Sequence, residues 1–182
     1  PRRGKLRTLA SAVQVASGDL LVLTDADTTL EPCAIRYLAE NFTDPVVGAV
    51  AGRKQVRRAG ARPALGRSEG LYRRFDEWQK EQESRIGSAV AADGTLYAVR
   101  RELFDPGLDA AAADDLSISA RVALRGYRLV YEPRAVVSVE PPSAQGPELR
   151  RKVRIANQTI RALLGLGPAL WTSGFYSFQL VS

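Results

Sequence analysis

Two aspartates separated by one residue, Asp25 and Asp27, have the residue type and spacing that metal chemistry requires. They directly follow an apolar run, LLVLT at residues 20–24, which predicts a buried parallel strand covered on both faces. Carboxylate oxygens suit Mg²⁺ and Mn²⁺, and a cation at this strand end would stabilise charge on a departing nucleotide diphosphate. The alternative interpretation is a polar turn in which Asp27 caps the next helix.

A second acidic pair, Asp114 and Asp115, lies after an alanine-rich segment at the start of a predicted helix. The helix dipole favours carboxylates at this position, so a capping role is one interpretation. The other is catalysis. Direct displacement at a sugar's anomeric carbon needs a general base that takes the proton from the acceptor hydroxyl, and an aspartate on a loop facing the metal has that capacity.

Four basic side chains begin the predicted helix 148–164: Arg150, Arg151, Lys152 and Arg154. One interpretation is a clamp on the leaving diphosphate, because arginine binds phosphate oxygens through two parallel hydrogen bonds. The other is a solvated or lipid-facing basic face. The spacing leaves both open.

The composition excludes several classes of chemistry. The 182 residues include no histidine and a single cysteine, Cys33, so Ser-His-Asp and Cys-His catalysis, His-ligated metals and intrachain disulfides are excluded. Cys33 lies in an apolar helical pattern, which predicts a small core residue. The net charge is +6, but aromatic residues are not interleaved with the basic clusters, so we predict no nucleic-acid partner. The sequence begins at Pro1 and lacks methionine, which suggests a fragment.

Alternating apolar patterns predict an open α/β sheet with crossover helices, in which ligands bind beyond the carboxyl ends of strands. Strands are predicted at residues 20–24, 46–52, 95–99, 127–131 and 136–139, the last two being separated by Glu132-Pro133. Helices are predicted at 5–17 (ended by Gly18), from Pro32 onwards, at 69–85, at 116–125 (ended by Gly126) and at 148–164. Loops are predicted at 53–68, 105–115 and 141–147. In the helix at 69–85, Leu71, Phe75 and Trp78 are predicted to point inward.

The tail, residues 165–182, is apolar and aromatic but is interrupted by glycine and proline. The tail is too short and irregular for a spanning helix, so its composition favours a segment that lies at the membrane interface. The alternative is a soluble helix packed on the domain. We therefore divide the chain into a domain at 1–147 and an amphipathic, membrane-proximal segment at 148–182.

The first motif also fits a different enzyme class. The run DADTT at residues 25–29 matches the D-x-D-x-T nucleophile motif of haloacid-dehalogenase-type phosphatases, in which the first aspartate attacks phosphorus. Such enzymes also need a second acidic cluster, which could be Asp114 and Asp115, and a downstream lysine. None of the lysines after the motif (Lys54, Lys80 and Lys152) sits at a predicted strand end. A third hypothesis is a non-catalytic membrane-binding fragment.

Read in order, several segments together resemble family 2 glycosyltransferases with the GT-A fold, especially membrane-associated bacterial members. The matching segments are residues 4–5, 16–19, 23–28 (LTDADT), 45–52 (PVVGAVAG), 93–101 (DGTLYAVRR), 114–118 (DDLSI) and 126–135 (GYRLVYEPRA). The resemblance implies an open, mostly parallel sheet flanked by helices and truncated at its N-terminal strands. The stretch 151–155 retains the arginine of the family's Gln-x-x-Arg-Trp motif as Arg154 but lacks its Gln and Trp, so processivity is not implied.

The resemblance also implies roles for individual residues. Asp25 and Asp27 would bind the metal and the donor diphosphate, and Asp115 would be the catalytic base. The remaining expected site residues are Lys5, Arg151 and Arg154 on the donor side and Asp93, Gly94 and Asp114 on the acceptor side. The implied reaction is inverting transfer of a sugar from a nucleotide-diphosphate donor to a glycan or lipid-linked acceptor. The implied cofactor is Mn²⁺ or Mg²⁺, and the implied location is the cytoplasmic side of a membrane.

Overall fold

The computed structural model describes residues 5–57, 67–86, 94–104, 121–140 and 157. The helices are α1 (Lys5–Val15), α2 (Ala34–Glu40) and α3 (Arg67–Ile86), with single 3₁₀ turns at Asn41–Thr43 and Arg101–Leu103. The strands are β1 (Leu20–Thr24), β2 (Thr28–Leu30), β3 (Val47–Val56), β4 (Leu96–Arg100) and β5 (Arg128–Val139). Residues 121–124 are also helical.

The five strands form one mixed sheet in the order β1-β4-β3-β5-β2. Among the strands that the structure describes, only β3 and β5 run parallel, whereas the β1–β4, β3–β4 and β2–β5 pairs are antiparallel. The α/β class is confirmed, but the expectation of a mostly parallel sheet is wrong. Apolar periodicity reports burial, and burial does not distinguish strand direction when both faces of a strand are covered.

The prediction for β1 is right in position and wrong in environment. The strand pairs antiparallel with β4 and lies at one end of the described sheet. Leu21 and Leu23 are buried on one face, while Val22, on the other face, is 37% exposed. The strand is therefore half-covered, as alternating burial along an antiparallel strand allows.

The sheet curls so that its two ends meet. In a flat sheet β1 and β2 would lie four strand spacings apart, about 19 Å, yet only residues 25–27 connect them. Four Cα–Cα steps span at most about 14 Å. The side-chain oxygens of Thr24 and Thr28 are in fact 2.8 Å apart. The curl brings the carboxyl end of β1 against the start of β2.

The long strands β3 and β5 provide this curl. β4 pairs with β3 only as far as Ala51, while β3 and β5 continue together to Val56 and Val139 and carry β2. A bulge marks the change, because Gly52 pairs with Glu132 and the next residue, Arg53, pairs with Val136. Bulges bend a strand and increase its twist. A Cβ atom on Gly52 would lie 2.7 Å from the Ala135 carbonyl oxygen, so the close approach requires glycine.

Two predictions about this region therefore change. The strands predicted at 127–131 and 136–139 are one bulged strand, because Pro133 lies in the bulge, where no ladder hydrogen bond is needed from its nitrogen. The loop predicted at 53–68 is shorter, because β3 continues to Val56 and α3 begins at Arg67. Residues 58–66 lie outside the described residues.

Apolar side chains form a core on each face of the sheet. On one face, Leu9 and Val13 of α1 pack with β1, β4 and Val122. On the other face, Ala34 and Leu38 of α2 pack with β3, β4 and β5. The predicted positions of α1 and α2 are confirmed in outline, and each helix covers one side of the strands that lead to the Asp25–Asp27 turn.

Helix ends differ from the predictions at two places and agree at one. Cys33 is exposed and is the N-cap of α2, with a left-handed φ of 65°, so its prediction as a core residue is wrong. Helix α1 ends at Val15, ahead of Gly18. Gly126 does end its helix, with φ +82°, and Tyr127 N–H donates to Val122 O in a Schellman motif.

Helix α3 is longer than predicted and presents a different face. Its described C-terminal end packs on β5 through Ser84, whose hydroxyl oxygen accepts the Tyr131 N–H at 2.6 Å. Phe75 and Trp78 are 58% and 55% exposed, with ring centroids 5.8 Å apart. The prediction that these two aromatic side chains point inward is wrong, because the side of α3 that contacts the sheet is the one carrying Ser84.

Several predicted elements lie outside the described residues: the loop at 105–115, the start of the helix at 116–125, the linker at 141–147 and the tail at 165–182. Of the helix predicted at 148–164, only Asn157 is described, and it is helical and exposed. None of the helices in the described ranges combines the length and the hydropathy that crossing a membrane requires.

Candidate active site

The candidate site begins at the turn between β1 and β2, which contains Asp25, Ala26 and Asp27. The apolar residues of β1 fix the start of the turn, and the pairing of Thr28 with Val139 fixes its end. Asp25 is half-buried and Asp27 is exposed. The alternative prediction, in which Asp27 caps a helix, is wrong because a strand follows the turn.

Hydrogen bonds hold the turn at both ends. The Thr28 hydroxyl donates to the Asp25 carbonyl oxygen at 2.8 Å. The Thr24 hydroxyl donates to the Thr95 carbonyl oxygen at 3.0 Å, and the Asp25 N–H points to the same oxygen at 3.4 Å. The turn is thus attached both to itself and to the chain entering β4.

The attachment to Thr95 brings two of the predicted site segments together. Gly94 directly precedes Thr95, so the predicted acceptor-side residue lies beside the predicted metal-binding turn. Thr95 is buried, whereas Gly94 is partly accessible. The carboxyl end of β1 and the amino end of β4 therefore form one border of the sheet, as the antiparallel register of these strands requires.

The residues of the turn fit a hard divalent cation. Two carboxylates project from a three-residue turn whose backbone is held, and hard cations prefer such oxygen ligands. Within the described ranges, no group of three or more His, Cys, Asp and Glu side chains gathers into a metal site. The turn would supply two protein ligands, and Mg²⁺-type sites complete their coordination with water and substrate phosphates.

The remaining predicted site residues are Lys5, Asp93, Asp114, Asp115, Arg151 and Arg154. Lys5 is the first residue of α1. Outside the described residues lie Asp93, Asp114, Asp115, Arg151 and Arg154. The convergence of Asp115 on the turn stays a prediction.

Three threonines around the turn were not among the predicted site residues: Thr24, Thr28 and Thr95. Thr28 follows Asp27 directly, and hydroxyl residues commonly close turns through hydrogen bonds to nearby backbone, so a local signal for Thr28 existed. No local pattern identifies Thr95, because its contact with Thr24 joins residues 71 positions apart.

A polar cluster supports the bulge that leads to the turn. Glu132 is buried, and both of its carboxylate oxygens accept hydrogen bonds from the Arg134 guanidinium, each at 2.8 Å. Asn41 donates to the same carboxylate at 3.0 Å. Burial raises the pKa of Glu132, but the hydrogen bonds from Arg134 and Asn41 outweigh it and hold the pKa below its usual range. Arg134 also lies 4.7 Å from the Tyr37 ring centre.

Two curated relatives are similar to the chain over most of its length. The poly-β-1,6-N-acetyl-D-glucosamine synthase of Staphylococcus aureus (strain COL) is 29% identical over 167 residues, covering 89% of this chain and 40% of the relative. An N-acetylglucosaminyltransferase of Rhizobium sp. (strain N33) is 28% identical over 180 residues, covering 88% of this chain and 38% of the relative. The chain thus spans about two fifths of these relatives.

A solved structure shares the fold. The mannosyltransferase PcManGT from Pyrobaculum calidifontis, in complex with GDP-Man and Mn²⁺, superposes with a TM-score of 0.69 at 22% identity. The match covers 99% of this chain and 53% of that protein. The likeness confirms the GT-A-like α/β fold.

The sequence also matches the family model described as "Glycosyltransferase like family 2" over residues 1–158. This range contains every segment on which the resemblance rested, including both acidic pairs. The chain therefore belongs to the glycosyltransferase family 2.

Proposed function

We propose that the protein transfers a sugar, with inversion at the anomeric carbon, from a nucleotide-diphosphate donor to an acceptor hydroxyl in polysaccharide or glycolipid synthesis. The observation that carries the proposal is the hydrogen-bonded turn that presents Asp25 and Asp27 beside Gly94. Family membership supports the reaction class, and the names of the two curated relatives support an N-acetylhexosamine donor.

In this proposal Asp25 and Asp27 bind a divalent cation together with the donor diphosphate. The Mn²⁺ in the PcManGT complex supports this cofactor, and the two-carboxylate turn fits Mn²⁺ or Mg²⁺. When bound, the cation supplies electrostatic stabilisation of the leaving diphosphate. Arg151, Arg154 and Lys5 are proposed to hold the phosphates from the other side, because cationic donors favour phosphate oxygens.

Acceptor activation is assigned to Asp115. Its carboxylate would accept the proton from the acceptor hydroxyl as that oxygen attacks the anomeric carbon. Asp93, Gly94 and Asp114 would line the acceptor side. Gly94 directly precedes Thr95, whose carbonyl oxygen accepts the Asp25 N–H. This neighbourhood supports a cleft in which donor and acceptor face each other.

The proposal includes membrane association, with the catalytic residues on the cytoplasmic side. Its support is the apolar, aromatic composition of residues 165–182, which follow the basic residues 150–154. Protease digestion of sealed vesicles that contain the full-length protein would test the orientation, because a cytoplasmic catalytic domain is cleaved only from that side.

The catalytic assignment is tested by Asp115→Asn in the full-length protein. Loss of a general base lowers transfer on the order of 10²–10⁴-fold, while Mn²⁺-dependent binding of the donor nucleotide is retained because the turn is unchanged. The matched control is Asp109→Asn, in the same predicted loop, which is expected to transfer at the wild-type rate. Unchanged transfer by Asp115→Asn would refute the assigned base.

A further inference from the structure

The hydroxyl groups of Thr24 and Thr28 surround the backbone of Asp25. Their oxygens are 2.8 Å apart. One hydroxyl reaches the Thr95 carbonyl at 3.0 Å and the other reaches the Asp25 carbonyl at 2.8 Å. Both hydroxyls thus contact backbone oxygens at the turn that contains the two carboxylates.

These contacts hold the two peptide groups on either side of Asp25. The peptide before it donates its N–H to Thr95 O, the oxygen that also accepts from Thr24. The peptide after it offers its carbonyl to Thr28. Since each peptide group is planar, fixing both planes fixes φ and ψ of Asp25 and therefore the direction of its Cα–Cβ bond.

The three contacts share two protons. Each hydroxyl carries one proton and can accept through its lone pairs, so Thr24 and Thr28 together cannot donate fully to Thr95 O, to Asp25 O and to each other at once. Removing either hydroxyl therefore changes the hydrogen bonding of the other. The pair acts as one unit, and a variant at either position should produce the same kind of defect.

We propose that Thr24 and Thr28 are positioning residues that set the direction in which the Asp25 side chain leaves the turn for cation binding. The proposal rests on the proposed function of the turn. Neither hydroxyl needs to touch the cation or the donor. Their effect on the reaction is transmitted through the backbone of Asp25, and through Thr95 it also reaches the start of β4, where Gly94 lies.

The test compares Thr28→Val and Thr28→Ser in the full-length protein. Valine keeps the shape of threonine and removes the hydroxyl, whereas serine keeps the hydroxyl. Mn²⁺ is titrated against each variant in the presence of UDP and, in a parallel series, GDP, and nucleotide binding is measured by calorimetry. Loss of one hydrogen bond predicts about a fivefold higher Mn²⁺ requirement for Thr28→Val, with Thr28→Ser within twofold of wild type.

The matched control is Thr29→Val, which makes the same chemical change one residue later, at an exposed position of β2. It should leave the Mn²⁺ requirement within about twofold of wild type, since a strand accommodates valine readily. Thermal unfolding of each variant separates misfolding from a defect in the turn. If Thr28→Val does not fold, Thr24→Val provides the same measurement from the other hydroxyl.

A wild-type Mn²⁺ requirement in a folded Thr28→Val or Thr24→Val protein would overturn the positioning role while leaving the proposed function intact. Absence of Mn²⁺-dependent binding of both nucleotides by the wild-type protein would overturn the proposed function and this role together. An increased Mn²⁺ requirement that Thr28→Ser restores would support the role, because general destabilisation predicts no such rescue.

Discussion

The turn after β1 and the exposed side of α3 both present side chains to solvent, but they are built differently. In the turn, Asp25 and Asp27 extend from a backbone held by hydrogen bonds to Thr28 and Thr95. On α3, Phe75 and Trp78 lie in the middle of a helix that contacts the sheet near its C-terminal end, through Ser84. The backbone of the turn is held by threonine hydroxyls and a distant carbonyl oxygen, whereas the backbone of α3 is held by its own helical hydrogen bonds.

Local sequence determines these two surfaces to different extents. In the turn, the hydrogen bond from Thr28 to the Asp25 carbonyl oxygen joins residues three positions apart and is encoded locally, whereas the bonds to Thr95 depend on the pairing of β1 with β4. The inward face of a helix is decided by the element that packs against it, which for α3 is β5, more than 40 residues away. Substitutions at Ser84, Glu132 and Trp78 test this contrast.

Ser84→Val should have the largest effect on stability. It removes the buried oxygen that accepts the Tyr131 N–H at 2.6 Å, and replacing a buried acceptor typically costs about 1–3 kcal/mol in the free energy of unfolding. Urea denaturation of the full-length protein measures the change. A cost below about 0.5 kcal/mol would mean that α3 is held on β5 by contacts other than Ser84.

Glu132→Gln should have an intermediate effect on stability and tests the polar cluster at the bulge in β5. Replacing the charged acceptor of Arg134 and Asn41 costs about 1 kcal/mol at neutral pH. The matched control is Glu40→Gln, because Glu40 is an exposed partner of the same arginine and should change stability by less than about 0.5 kcal/mol.

The pH dependence of this variant follows from the direction of the pKa shift. Hydrogen bonds hold the pKa of Glu132 below its usual range despite burial, so the carboxylate stabilises the folded state above the unfolded pKa of about 4.3. That contribution is lost as the pH falls through the folded-state pKa. Unfolding midpoints measured from pH 7 to pH 3 should therefore fall less steeply for Glu132→Gln. Parallel curves would contradict the assigned pKa.

Trp78→Ser should have the smallest effect. Substitution of an exposed side chain away from buried contacts usually changes the free energy of unfolding by less than about 0.5 kcal/mol. Urea denaturation alongside Ser84→Val gives a direct comparison of the two sides of α3. A loss above about 2 kcal/mol would show that Trp78 is buried, as the apolar periodicity of the sequence predicts, and would remove the contrast between α3 and the turn.

The sequence predicts the individual helices and strands of this fold better than the way in which they pair and pack. The strand at residues 20–24 and the end of a helix at Gly126 are predicted closely, because an apolar run and a positive-φ glycine are local signals. The antiparallel direction of β1 and the three-residue strand β2 are not predicted, because both depend on pairing with distant strands. Cys33 was assigned to the core from helical periodicity that begins only at the next residue.

For the site, the sequence supplies Asp25, Asp27 and Gly94, and the structure adds how they are brought together. Thr95 joins the turn to the predicted acceptor side through a carbonyl oxygen, a group that every residue type carries. Its role could not be predicted from residue type. The roles of Asp115, Arg151 and Arg154 rest on family resemblance and stay predictions.

The most direct test of the central claim is whether the turn binds a cation together with the donor nucleotide. Calorimetric titration of UDP and GDP into the full-length protein, with Mn²⁺ or with EDTA, should show binding of one nucleotide that requires Mn²⁺. Asp27→Asn should lose this binding while unfolding at the wild-type temperature, because Asp27 is exposed. Binding by Asp27→Asn at wild-type affinity and with unchanged Mn²⁺ dependence would contradict the account.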